Sequence, residues 1–393
     1  MKIVSANLFN WENIYILFIS LSLISHIFNN LEVAGGIKLF YIFVGCSIVS
    51  VISLIRRTNV IKKYLILYLF FSIVSCFYAT YTGAFERYFS VFLVMLSTFG
   101  LSLVDKNKVV FLNLLLSPIV LLGLFYTLIH YPAFRFQGFY NDPNYLCSSL
   151  QVYTFLILLI LPKSNKWYIR VWLLLQFFII ILLVLSTLSR TGLICMFVVT
   201  LAAFSSYITK SKKMVFVFII ALFGFFYFQQ NSINNFVNSM NRRADSQNDL
   251  VESAAETRFQ LSIRGIEYVK DNPEFAMFGV GLGGIRKIRE ISSFDHQIDH
   301  NTFTSCFTEQ GILALISLVC ILYAIAYRLY KCENSFIKNF HLLSFLSFIL
   351  FSLSINMMIF LPFWWIVFLM FPRNKSNKFQ INHISSTHLQ IQL

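Results

Sequence analysis

VWLLLQFFIIILLVLSTLSRTGLICMFVVTLAAFSSYIT, residues 171–209, carries a single charged side chain, Arg190. As one helix it would rise about 58 Å, nearly twice a hydrocarbon core of about 30 Å. Unbroken, it would also strand Arg190 in the middle of the bilayer, which is unfavourable. STLSRTG, residues 186–192, supplies polar residues and a glycine at the midpoint. The stretch therefore reads as two membrane spans, Val171–Thr187 and Thr191–Thr209, joined by a tight turn that keeps Arg190 at the surface.

The rest of the chain repeats this pattern. Of 393 residues, 58% are hydrophobic and 12% charged, and 45 are Phe. Apolar runs of roughly 17 to 25 residues recur throughout. Ten more spans are placed at Ile14–Phe28, Ile37–Ile55, Tyr64–Thr82, Tyr88–Val104, Val109–Ile129, Tyr145–Leu161, Met214–Phe228, Thr302–Tyr327, Phe340–Ile355 and Ile359–Phe371. The last two are separated at Asn356–Pro362, where proline limits helix continuation. The expected fold is all-α, a polytopic transmembrane helix bundle of about twelve spans with one long extracytoplasmic loop. Residues 1–230 hold spans one to nine, 231–300 the loop, 301–372 the last three spans, and 373–393 a cytoplasmic tail.

The net charge of +14 does not point to nucleic acid, because the basic residues sit in short clusters between apolar runs. Nineteen fall in alternate connections, including Lys2 and the tail, whereas the intervening short connections hold only Lys38, Arg87, Arg135 and Arg190. By the positive-inside rule both termini are cytoplasmic and the long loop lies outside. The seven cysteines show no disulfide or metal spacing. The first apolar run lacks a basic n-region beyond Lys2 and a cleavage site, and reads as a retained anchor.

The polar clusters fall on the outer side. RFQGFYNDPNYL, 135–146, is a turn in which Asn144 stands at an N-cap position for the following span. Arg190 has two readings, an interfacial anchor that snorkels or a functional cation, and its isolation favours the second. The long loop holds ten of the 17 acidic residues. Within it Ser246–Lys270 has helical periodicity through Leu250, Ala254, Phe259, Ile263, Ile266 and Val269. That amphipathic helix would lie along the interface, with Arg258 and Arg264 projecting or else pairing with Glu252, Glu256 and Glu267. FGVGLGG, 278–284, resembles a phosphate-cradling loop, yet no Lys-Ser/Thr follows it. DHQIDHN, 295–301, has spacings that permit metal, but nothing fixes a third ligand. His300 stands where the loop re-enters the bilayer, beside Asn301 and ahead of Glu309.

These stretches together resemble the O-antigen ligase and polymerase superfamily of bacterial envelope glycosyltransferases. RFQGFYNDPNYL looks like its Arg, Gly, Pro-Asn motif, and SRTG like its outer-turn arginine. Arg258, fifteen residues before Pro273 and followed by FGVGLGG, is similar to its loop pattern, and HNTFTSCFTEQG to its His-Asn, Glu-x-Gly signature. Ala314 and Leu315 depart from the ligase pattern and lean the reading toward polymerase.

The resemblance implies a metal-independent glycosyltransferase of the bacterial inner membrane acting on an undecaprenyl-diphosphate-linked oligosaccharide. Arg190 and Arg258 would hold the departing diphosphate as bidentate forks, and His300 would take the acceptor's proton. Arg135, Asn144, Arg264, Asn301 and Glu309 are expected to bind substrate. No cofactor is expected. Membrane lipid, a chain-length regulator and a flippase are the expected partners, and nucleic acid is not. The alternatives are a ligase with a lipid A-core or other acceptor, and a flippase or transporter for the same lipid. A transporter would carry ionisable groups within its spans, whereas here nearly all of them sit in the connections.

Overall fold

The computed structural model describes residues 10–28, 32–33, 37–54, 60–79, 83–131, 136–140, 142–208, 262–288, 301–332 and 335–371. Twelve helices run through these segments. They are α1 (Trp11–Ile27), α2 (Leu39–Leu54), α3 (Val60–Phe77), α4 (Ala84–Phe99), α5 (Lys106–His130), α6 (Pro143–Ile160), α7 (Trp167–Ser186), α8 (Arg190–Ile208), α9 (262–271), α10 (Thr302–Tyr330), α11 (Ser335–Ser354) and α12 (Leu361–Met370). One antiparallel pair, Glu32 opposite Lys38 and Val33 opposite Ile37, is the sole strand pairing among the described residues.

By length and composition five segments can cross a membrane: Ala84–Ser102, Lys106–His130, Pro143–Lys163, Trp167–Ser186 and Thr302–Tyr330. Five shorter helices are also apolar, and the chain is an integral membrane protein. Twelve spans were expected, and the structure supports five by this measure. The expected span Met214–Phe228, most of the loop 231–300 and the tail 373–393 lie outside the described residues.

Of the expected spans, one is short and another is broken. The helix α12 has ten residues, a rise of about 15 Å, half a hydrocarbon core. All ten are buried, and Trp364 and Trp365 are 0% exposed. It packs against α4, α6, α1, α10 and α11. A helix apolar on every side belongs inside a bundle, so its hydrophobicity serves protein packing.

The helix α10 is long enough to cross but is broken. At Gly311 the backbone turns to φ 83°, ψ 176°, dividing Thr302–Gln310 from Ile312–Tyr330. An unbroken helix would bond the Ile312 N–H to the Thr308 carbonyl. Instead Ile312 N–H donates to the Ala276 carbonyl at 2.9 Å, and Thr308 accepts from Val280 N–H at 3.0 Å. The glycine loop is thus inserted into one rung of the helix and replaces one bond with two. Such satisfaction is obligatory where water is scarce.

Elsewhere the helices pair as neighbours in sequence or through close approach. The helix α1 packs on α2, α3 on α10, and α8 on α11, while α6, buried along nearly its full length, lies against α7 and α8. The expected break between α7 and α8 is present, at Thr187–Ser189, with Leu188 at φ 52°. At one end of the bundle, Glu12 Oε1 accepts from Asp105 N–H at 2.7 Å and Lys108 Nζ donates to Asn13 Oδ1 at 3.1 Å. The sequence motifs gather at the opposite end.

Candidate active site

At that end α6, α8 and α10 begin, and each start is capped by a polar side chain. The α6 cap is Asp142, whose Oδ1 accepts from Asn144 N–H at 2.7 Å. This corrects the expectation that Asn144 is the cap. Pro143 occupies the first helical position, where its missing N–H is harmless, so the cap moves to the residue before it.

Asn144 is thereby released for a tertiary bond. Its Oδ1 accepts from the Ser189 hydroxyl, and Ser189 Oγ in turn accepts from Gly192 N–H at 2.9 Å, capping α8. One turn further along α6, Cys147 Sγ lies 3.1 Å from Thr187 Oγ1. Gly192 permits this closeness, since a Cβ there would lie 2.5 Å from Cys147 Sγ. Phe136 N–H donates to the Ser186 carbonyl at 3.0 Å. The two motifs RFQGFYNDPNYL and SRTG are therefore one latch, which sets Arg190, exposed, at the first position of α8.

A second clamp joins this latch to α10. Thr302 Oγ1 donates to the Ile355 carbonyl and accepts from Met357 N–H, both at 2.9 Å. Between them, the Asn356 carbonyl accepts from the Tyr145 hydroxyl at 2.9 Å. The connection Ile355–Met357 thus bridges the start of α6 to the start of α10. Sequence reasoning treated it only as a helix break, although the pairing of Asn356 with a nearby proline marked it as a turn.

A buried aromatic group backs the connection. The Tyr140 hydroxyl lies 3.0 Å from His26 Nδ1 and 2.9 Å from Ser149 Oγ. Phe360 stands against His26 at 5.1 Å and Tyr145 at 4.9 Å between ring centres. Burial pushes the Tyr140 hydroxyl above the ordinary phenol range, so it remains a neutral hydrogen-bonding post.

The remaining expected residues divide. Asn301 caps α10, its Oδ1 accepting from Phe303 N–H at 2.9 Å and Thr304 N–H at 3.4 Å. Arg264, half-buried, lies on α9, which crosses the first half of α10 closely. A Cβ at Gly265 would lie 3.0 Å from Thr308 Cγ2. On that helix Val269 is buried as the periodicity required, whereas Ile266 is 44% exposed and departs from it. Glu309 is 2% exposed, at the inner end of the half-helix that begins beside Asn301. His300, Arg258 and Arg135 lie outside the described residues, as does Asp295–Asp299 of the possible metal cluster. Among the described residues no group of three His, Cys, Asp or Glu is placed to hold a metal ion.

Part of the glycine loop's backbone bonds within the protein. Its Gly279 and Val280 N–H groups are taken by the Phe275 and Thr308 carbonyls. Gly279, Gly281 and Gly283 all have φ between 71° and 87°. A Cβ at Gly279 would lie 2.3 Å from the Glu309 carbonyl carbon, and one at Gly281 2.2 Å from the Ala79 Cβ. These glycines bring loop and helices together.

Residues 175–319 match the family model described as O-Antigen ligase. The matched segment runs from α7 through the SRTG turn, α9 and the glycine loop to the broken α10, and leaves out RFQGFYNDPNYL. No curated protein matches the chain.

Proposed function

We propose that this chain, whose residues 175–319 match the O-Antigen ligase family model, belongs with the O-antigen ligases and polymerases and polymerises lipid-linked oligosaccharide repeat units. Family members are glycosyltransferase-like enzymes acting on lipid-linked oligosaccharides. The observation that carries the reading is the pair of clamps. Asn144 on Ser189, and Thr302 with Tyr145 on Ile355–Met357, bring Arg190 and the segment after His300 to one end of the bundle. An arginine and a histidine are the two groups this chemistry needs.

In the proposed reaction, a hydroxyl of the acceptor's terminal sugar attacks the anomeric carbon of the donor glycan. The bond from that carbon to the diphosphate oxygen breaks, and its electron pair leaves on undecaprenyl diphosphate. His300 accepts the hydroxyl proton as the new glycosidic bond forms. Arg190 and Arg258 hold the growing negative charge of the diphosphate through paired N–H bonds. The lipid diphosphate is already an activated leaving group, so neither nucleotide nor metal takes part in this scheme. Orientation follows the charge pattern, with this end of the bundle periplasmic, both termini cytoplasmic and about twelve spans in the inner membrane.

A ligase would perform the same substitution with lipid A-core as acceptor. Cells carrying His300→Ala separate the two. General-base contributions are typically ~100- to 10,000-fold, so turnover should nearly stop. The expected phenotype is surface lipid bearing a single repeat unit without a ladder, because a separate ligase still transfers that unit. Normal ladders would remove His300 from the mechanism, and loss of even the single unit would make this protein a ligase.

A further inference from the structure

The proposed reaction needs Arg190 and the start of α10 held at a fixed separation, which the latch and the connection Ile355–Met357 set between them. We infer that His26, in the first helix, is a positioning residue that braces the latch against that connection. The inference rests on the proposed reaction and adds a residue that acts on its geometry from outside the matched segment 175–319.

His26 is buried in the last turn of α1, where four elements meet. Its ring stands edge to face with Phe40 of α2 at 5.0 Å and with Phe360, the residue before α12, at 5.1 Å. Its Nδ1 lies 3.0 Å from the hydroxyl of Tyr140, in the segment 136–140 ahead of α6. The other end of that segment is fastened just before the SRTG turn, where Phe136 N–H donates to the Ser186 carbonyl. One imidazole therefore touches both the segment that reaches the Arg190 turn and the connection that holds Thr302.

The directions of the bonds assign its tautomer. The Ser149 hydroxyl donates to the Tyr145 carbonyl at 3.1 Å, which uses its one proton. At the 2.9 Å contact between Tyr140 and Ser149 the donor is then the Tyr140 hydroxyl. Having donated there, Tyr140 accepts from His26, so Nδ1 carries the imidazole proton.

His26, Tyr140 and Ser149 thus form a one-way chain of bonds ending on the Tyr145 backbone. Bonds aligned head to tail in this way reinforce one another. The Tyr145 hydroxyl donates to the Asn356 carbonyl at 2.9 Å, and the connection runs on from Asn356 to Phe360 and back to the His26 ring. The circuit is closed. A single tie at Tyr145 would let the latch pivot on the connection, and the tie through His26 removes that freedom.

The test measures kcat, KM and Tm of full-length protein in nanodiscs, with undecaprenyl-diphosphate-linked repeat units as substrate. In His26→Phe the new ring fills the aromatic pocket and Tyr140 keeps Ser149 as a partner, so Tm should stay near that of wild type. A misplacement of about 1 Å remote from the chemistry can cost about 100-fold, so kcat should fall roughly 10- to 100-fold with KM little changed. Tyr140→Phe should lose at least as much, and adding His26→Phe to it should change nothing further, because both remove one bond. His26→Asn, whose amide N–H reaches the Nδ1 position, should recover most of the lost kcat. Wild-type kcat in His26→Phe, a further loss in the double variant, or no recovery with Asn would each overturn the inference. A Tm that falls in step with kcat would overturn it as well, by making His26 a packing residue alone. An inactive wild type would instead remove the proposed reaction, and this role with it.

Discussion

Asn144 shows how one residue's role depends on a neighbour. Because Asp142 caps α6, the Asn144 carbonyl oxygen is available to hold Ser189, and Ser189 in turn caps the helix that begins with Arg190. The bond requires only an acceptor at position 144. Asn144→Asp should therefore keep glycan ladders, whereas Asn144→Ala should shorten them strongly, with Tm lowered by the loss of roughly 1 kcal/mol of hydrogen bonding. Failure of the Asp variant with an unchanged Tm would instead give the amide nitrogen a direct role with substrate. Arg190 is tested at the same scale. Lysine retains the charge but not the two-pronged geometry, so Arg190→Lys should lose most polymer formation at normal protein level. Ladders of wild-type length would reduce Arg190 to a membrane anchor.

At the scale of elements, the broken helix and the inserted loop form one unit. Gly311 has φ 83°, and a Cβ there would lie 2.2 Å from the Met277 carbonyl oxygen. Gly311→Ala should expel the loop from the helix and destabilise the fold by several times the roughly 1 kcal/mol of an ordinary helix-propensity change. Gly45 is the internal control. It lies within α2 with nothing inside 4 Å of its missing Cβ. Gly45→Ala should raise stability by up to about 1 kcal/mol. Thermal unfolding in detergent distinguishes them, and similar Tm values for the two variants would contradict the account of the break.

At the scale of the whole molecule, the charge pattern predicts which end faces outward. All seven cysteines are replaced first, since several of the native thiols are partly accessible. A cysteine at position 248 should then react with an impermeant reagent on intact cells, and one at position 165 only after lysis. The reverse result would invert the bundle and place the Arg190 end in the cytoplasm. Purified protein should also stay active in excess chelator, because in the proposed scheme arginine carries the leaving-group charge. Loss of activity restored by one divalent ion would return attention to residues 295–300.

The sequence by itself determined the class, the division of residues 171–209 and the clustering of polar groups, because these depend on run length and on the energy of a charge in hydrocarbon. It also carried the superfamily resemblance that the match over 175–319 supports. It could not show that the apolar residues around Phe363 are covered by other helices, since hydropathy has the same value whether a side chain meets lipid or another helix. It likewise left the role of FGVGLGG open, because glycines that admit a phosphate and glycines that admit a backbone look alike in sequence. Only the tertiary structure decided that Thr308 bonds to Val280, that Asn144 holds Ser189, and that Thr302 and Tyr145 share the Ile355–Met357 connection. Those bonds join residues far apart in the chain, and no periodicity or local propensity encodes a partner at that distance.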